Sequence, residues 1–368
     1  MARRESVFIT LLDREIHVTE WLSNAAPPVS TKVLIAWHGL LRTGRDFDEV
    51  AERFAANHGY RVLCPDTIGR GLSQWSPKPN VEYTVPFYVQ LLEALVEQLV
   101  DRQHGVAAAV PGTPNSREDP SLTALAVTRG RRDIDFLGTS MGGIIGYCAA
   151  GGSLRLRGRI RRLVLNDVGP ELNPVAIERI KQYGNIAVSF DRLSELEGFF
   201  KTVYAPFGPV TPAWLRRIVE VGYRRLPNGK VAPHYDPNVM VVATGGAAAT
   251  TDVVASSSAT GVAAAVEPKG EEEALSHQHS SGSLVPADPW ALFDAIDCEA
   301  ILITRGQNSD LLLPSGVEAM LARPVAQRCG MRSVTIDGCG HAPTFVPLAQ
   351  QQILETFFLD GNASDTVK

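Results

Sequence analysis

Ser140 lies in Gly138-Thr139-Ser140-Met141-Gly142, a G-x-S-x-G sequence that follows the apolar run Asp133–Leu137 and leads into Ile144–Ala150. Between a strand and a helix this spacing predicts a tight, strained turn that presents the serine hydroxyl at the carboxyl end of a sheet. A serine hydroxyl needs a base to become a nucleophile. His341, in Gly338-Cys-Gly-His-Ala-Pro, follows the last predicted strand, and its small neighbours let an imidazole point into a site. The base in turn needs an acid to orient it and to stabilise the imidazolium. Asp310 is the stronger candidate, in the loop after the penultimate strand. Asp167, just beyond the strand Arg162–Leu165, is its rival, although its carboxylate could equally serve the turn before Val168-Gly-Pro. Two backbone N–H groups, of Met141 and of Leu40 in His38-Gly39-Leu40, are the candidates for binding an oxyanion. Together these groups could perform acyl transfer, with His38 fixing the loop beside them.

The surrounding pattern supplies elements to hold them. Val7–Leu12 and Ile16–Trp21 predict a hairpin. Lys32–Trp37, Arg61–Cys64, Asp133–Leu137, Arg162–Leu165, Ala300–Thr304 and Arg332–Ile336 read as strands, and Tyr83–Arg102 and Leu348–Leu359 as helices. Strand–helix alternation with continuous apolar strands indicates an α/β fold, a mostly parallel, doubly wound sheet covered on both faces. Residues 1–169 and 290–368 are expected to form this core. Residues 170–289 carry helical spacing without a strand-like run, and are expected to form a helical lid. Within it, Tyr183, Phe199, Phe200, Tyr204, Trp214 and Tyr223 could line an apolar pocket or pack the lid on itself. Arg179, Lys181, Arg216 and Arg217 could anchor a carboxylate or form a solvated face. Two stretches, 106–130 and 243–287, are too poor in apolar and aromatic residues to build a core, and read as flexible insertions.

Composition narrows the function classes. The chain has 368 residues, 45% hydrophobic and 20% charged, with a net charge of −5, which argues against a nucleic-acid binder. Five widely spaced cysteines without a C-x-x-C predict neither a disulfide framework nor a zinc site. No apolar run is long enough to span a membrane and no secretory signal is evident, so a cytoplasmic location is expected. His277 and His279 form an H-x-H pair without a third ligand. His17, His58 and His104 read as surface or packing residues, and His234 as a weak substrate contact. No metal and no organic cofactor is expected, and the oligomeric state is open.

HGL at 38–40, PDTIGRGLSQW at 65–75, GTSMGG at 138–143, GQNSD at 306–310 and GCGHAP at 338–343 run in one order along the chain. In that combination the sequence resembles the α/β-hydrolase superfamily with a helical cap, whose triad order is Ser, Asp, His. The resemblance implies that Asp66, Arg70 and Gly71 brace the site. It also implies a serine hydrolase cleaving a carboxylic ester or a lactone through an acyl-enzyme on Ser140, with a small ester-type molecule as substrate. Relatives that open epoxides or remove halides use an aspartate where this chain has Ser140. Those that hydrolyse C–C bonds of ring-fission diketone acids share S-M-G-G but differ in the oxyanion loop, and remain an alternative. A ligand-binding homologue without catalysis is an alternative of another class.

Overall fold

In a computed structural model of the chain, the structure describes residues 1–24, 32–102, 131–184, 188–208, 211–243, 245 and 286–360. Eight strands form one sheet: β1 (Ala2–Leu11), β2 (Arg14–Ser23), β3 (Val33–Trp37), β4 (Arg61–Pro65), β5 (Ile134–Thr139), β6 (Ile160–Asn166), β9 (Ala300–Gly306) and β10 (Arg332–Ile336). Their spatial order is β1-β2-β4-β3-β5-β6-β9-β10. The β1–β2 hairpin adds antiparallel to β4, and every other pairing is parallel. β3, β4 and β9 are buried along their whole length, as strands covered on both faces must be. One apolar cluster packs the helices 85–95 and 141–152 against one face. A second holds the helices 48–58 and 348–355 on the other. The expected α/β fold is the observed one.

Register decides which loops meet. Trp37 pairs with Gly138, Thr139 with Asn166, and Asn166 with Thr304, so β3, β5, β6 and β9 end level with one another. The loops that follow these four strands therefore converge at one edge of the sheet.

Between β6 and β9 the chain forms the helices Pro174–Gly184, Leu193–Tyr204, Pro212–Gly222 and Asn238–Ala243. Leu196, Phe200, Trp214, Ile218 and Val231 give this excursion its own apolar cluster. Arg217 ties it to the first core helix through Glu49 at 2.6 Å, and the Tyr83 hydroxyl donates to Asp236 at 2.5 Å. The expectation that it holds no strand is corrected: β7 (Tyr223–Arg225) and β8 (Val231–Pro233) pair as a hairpin. Its turn is Leu226–Lys230, where Gly229 has φ +82°, and Asn228-Gly229 is the sequence signal for such a turn. The insertion 106–130 lies outside the described residues, as does nearly all of 243–287 with His277 and His279.

His38 carries a pH-dependent part of the stability. Its Nδ1–H donates to the Gly39 carbonyl at 2.6 Å, and its Nε2 accepts the Thr67 amide at 2.9 Å, which fixes a neutral ring. Burial pushes its pKa down to about 4, against the opposing pull of Asp66. The unfolded chain takes up this proton near pH 6.5 and the folded protein only near 4. The contribution is therefore complete above the unfolded value and lost as pH falls through the folded one, amounting to about 3 kcal/mol. His234, also pushed down by burial, acts in the same direction. The urea midpoint is expected to fall between pH 7 and pH 4, with a shallower fall in His38→Gln. A midpoint independent of pH over that range would contradict this.

Candidate active site

The turn after β5 holds Ser140 at φ +52° and ψ −117°, a backbone conformation that non-glycine residues rarely adopt. The neighbouring chain is packed too closely for a side chain at 142: a Cβ on Gly142 would lie 2.1 Å from the Trp37 carbonyl oxygen. That close approach sets the start of helix 141–152 directly against the end of β3, and so brings Ser140 beside Gly39 and Leu40.

Ser140 Oγ is 2.9 Å from His341 Nε2, and His341 Nδ1 is 2.5 Å from Asp167 Oδ2. Asp167 is fully buried. It accepts from the Ser309 hydroxyl at 2.6 Å and from the Gly306 amide at 3.1 Å, and these donors fix the carboxylate that faces the imidazole. With the proton on Nδ1, Ser140 can donate to Nε2, the arrangement a general base needs before nucleophilic attack.

The expected placement of Asp310 against His341 is corrected. Its carboxylate is 48% exposed and forms a two-pronged pair with Arg179, at 2.9 Å on each side. The reason lies at the end of β9. A Cβ on Gly306 would fall 2.1 Å from the Gly340 carbonyl oxygen, so the loop carrying His341 crosses directly over Gly306. Asn308 N–H donates to the Cys339 carbonyl at 2.8 Å and clamps that crossing. The imidazole is thereby carried past the β9 loop to β6, the immediate neighbour of the strand that bears Ser140.

Asn166 was missed in the sequence, where it is one polar residue at a strand end. Fully buried, it donates to Thr139 Oγ1 at 3.0 Å and to the Pro343 carbonyl at 2.9 Å, and accepts from Thr304 Oγ1 at 2.9 Å. It thus joins the serine turn, β9 and the histidine loop. Asn166→Ala leaves buried partners unsatisfied and is expected to cost about 2–3 kcal/mol of stability. It should also lower kcat about tenfold, by loosening the Ser140–His341 contact. A variant with the stability and kcat of the parent would show that the asparagine holds neither.

Leu40 and Met141 both line the cavity beside Ser140. Arg70 connects them. It is fully buried, and donates to the Leu40 carbonyl at 2.9 Å and to the Tyr88 hydroxyl at 2.8 Å, with the Met141 sulfur at 3.6 Å. Its guanidinium lies 5.5 Å and 5.2 Å from the ring centres of Tyr83 and Tyr88. Asp66 accepts from the Gly44 and Leu72 amides and pairs with His17.

The cavity measures about 830 Å³. Ile144, Leu172, Ile177, Phe199, Phe200, Val203, Tyr204, Phe207, Trp214 and Met240 give it mostly apolar walls, with Ser140 and His341 on the core side. Tyr223 packs against the apolar cluster of the excursion between β6 and β9 instead, and the side chains of Lys181 and Tyr183 lie outside the described residues. Arg216 is exposed, and His234 lines a small adjoining pocket. Two arginines reach the main cavity wall. Arg42 grips Asp46 through two bonds of 2.7 Å and lies 4.0 Å from the centre of the Tyr204 ring. With its side chains 13% and 19% exposed, this pair is screened by water far less than one at the open surface. The Arg179–Asp310 pair is 42% and 48% exposed, a setting in which a pair contributes only ~0–1 kcal/mol.

Distances alone do not mark the site. Ser6 Oγ is 2.6 Å from His17 Nε2, and His17 Nδ1 is 2.8 Å from Asp66. In this second Ser–His–Asp chain Ser6 and His17 lie on the β1–β2 hairpin and Asp66 directly after β4, and none of the three lines the large cavity. It has the relay without a place for substrate.

The comparisons with known proteins agree with the fold. Residues 33–351 match the alpha/beta hydrolase family. The chain is 33% identical over 334 residues to a 3-hydroxybutyrate-oligomer hydrolase of Cupriavidus necator, covering 90% of this chain and 89% of that protein. Among solved structures, it resembles an alpha/beta hydrolase from Novosphingobium aromaticivorans at 26% identity and a TM-score of 0.64, over 96% of this chain and 97% of that one. An esterase from Mycobacterium tuberculosis shares the fold at 18% identity and a TM-score of 0.57, over 97% and 91% of the two chains. With its family match spanning most of its length and a relative above 30% identity, the chain belongs to the alpha/beta hydrolase family.

Proposed function

We propose that the protein is a serine ester hydrolase acting on short esters of hydroxy acids, of the kind found in 3-hydroxybutyrate oligomers. The observation that carries the reading is the contact of Ser140 Oγ with His341 Nε2 at 2.9 Å on the wall of a large apolar cavity. The substrate class is supported by the relative whose name states it. Ser140 attacks the ester carbonyl while His341 takes its proton. Asp167 holds the imidazole and stabilises its positive charge. The oxyanion is received by the Leu40 and Met141 amides, which Arg70 keeps in place. His341 then protonates the departing alcohol, and as a base it activates the water that frees the acid from Ser140. The same sequence of steps opens a lactone, which has no separate leaving alcohol.

The test is a substrate panel: linear 3-hydroxybutyrate oligomers, p-nitrophenyl esters of two to sixteen carbons, and a short lactone, with acid release followed directly. Oligomers and short esters are expected to turn over, and the longest acyl chains to react poorly. An active-site-intact preparation that cleaves neither oligomers nor short esters would overturn the reading.

A further inference from the structure

Asp310 does not face His341, yet it lies on the cavity wall with Arg179, on opposite sides of the junction between lid and core. Arg179 belongs to the lid helix Pro174–Gly184, and Asp310 to the loop after β9. We infer that Arg179 is an exchangeable anchor for the free carboxylate of the substrate, and that Asp310 occupies its guanidinium when no substrate is bound. This rests on the ester-hydrolase reading and specifies the ester: one whose chain ends in a carboxylate.

Three observations carry it. The guanidinium presents Nε and Nη2 to the two oxygens of Asp310, the same fork by which arginine recognises any carboxylate. Among the described residues, the cavity wall has only one other arginine and no lysine. That second arginine, Arg42, is held by Asp46 and beside the Tyr204 ring with the pair's side chains only 13% and 19% exposed, so an incoming carboxylate displaces its partner less readily than it would at Arg179. The Arg179–Asp310 pair is roughly half exposed, so exchanging one carboxylate for another on it costs little. Asn173 Nδ2–H donates to the Asp310 carbonyl at 2.8 Å, which keeps the loop docked on the lid while the carboxylate moves aside. After hydrolysis, Asp310 competes with the acid product for Arg179 and assists its release.

The experiment compares a linear 3-hydroxybutyrate trimer as the free acid with the same trimer capped as a primary amide, using the parent, Arg179→Gln and Asp310→Asn. Arg179→Gln is expected to lower kcat/KM for the acid about tenfold through KM, with the amide unchanged. Asp310→Asn removes the competitor and is expected to lower KM for the acid only. In Asp310→Asn, where no competing pair is screened as well, salt should raise KM for the acid and not for the amide. Equal effects on both substrates, or none, with both variants folded by thermal melt, would overturn the anchor and leave the ester-hydrolase reading standing. A parent that cleaves p-nitrophenyl butyrate but neither trimer would overturn the substrate class and the anchor together.

Discussion

Replacing Ser140 with Ala is expected to lower kcat by about 10⁶-fold, with the fold intact. Among the described residues of the cavity wall, the Ser140 hydroxyl is the one that touches the His341 imidazole, and it is the group proposed to carry the acyl intermediate. What remains is binding and the oxyanion donors, which in such sites retain ~10³-fold over water. The side chain is small, its backbone strain is already present, and alanine adds no atom, so the melting temperature should stay close to that of the parent. Steady-state assays with active-site titration check it. A kcat within tenfold of the parent would remove Ser140 from the mechanism.

Asp167→Asn is expected to lower kcat by about 10⁴-fold, because an amide cannot hold the imidazole in the required tautomer or stabilise its charge. The carboxylate is fully buried and accepts from His341, Ser309 and Gly306 at once, so its replacement also disturbs the loop after β9. A fall in melting temperature should accompany the loss of rate. Asp310→Asn touches only the exposed pair with Arg179, and turnover of p-nitrophenyl butyrate should stay within about threefold. Measuring kcat and melting temperature for both variants separates the two carboxylates. A large loss in Asp310→Asn with full activity in Asp167→Asn would reverse the assignment.

That contrast shows where the sequence stops being legible. The inner strands were readable from continuous apolar runs, since a sheet covered on both faces leaves no alternation to interpret there. Ser140 was readable because its glycine spacing has one structural use, and His341 because its small neighbours and its place after the last strand suit an exposed imidazole. Which aspartate meets His341 was not, because Asp167 and Asp310 both follow a strand at its carboxyl end. Local pattern does not say which of two parallel loops a third loop will reach. The deciding contact is Gly340 crossing over Gly306, a relation between residues 34 positions apart in sequence. Gly306 and the glycines at 338 and 340 were visible, but their use was not. Asn166 escaped for a similar reason: its three partners come from three separate segments. The lid hairpin was overlooked although Asn228-Gly229 marked it, because three-residue strands carry almost no periodicity.

The measurement that bears most directly on the account is the mapping of a covalent label. Among the described residues there are two Ser–His–Asp chains with similar distances, at Ser140 and at Ser6, and of these the first lines the large cavity. A fluorophosphonate, followed by intact-mass and peptide mapping, should add one adduct per chain, on Ser140, with complete loss of esterase activity. Ser140→Ala should take up no label. An adduct on Ser6, or full inactivation with Ser140 unmodified, would contradict the assignment of the nucleophile.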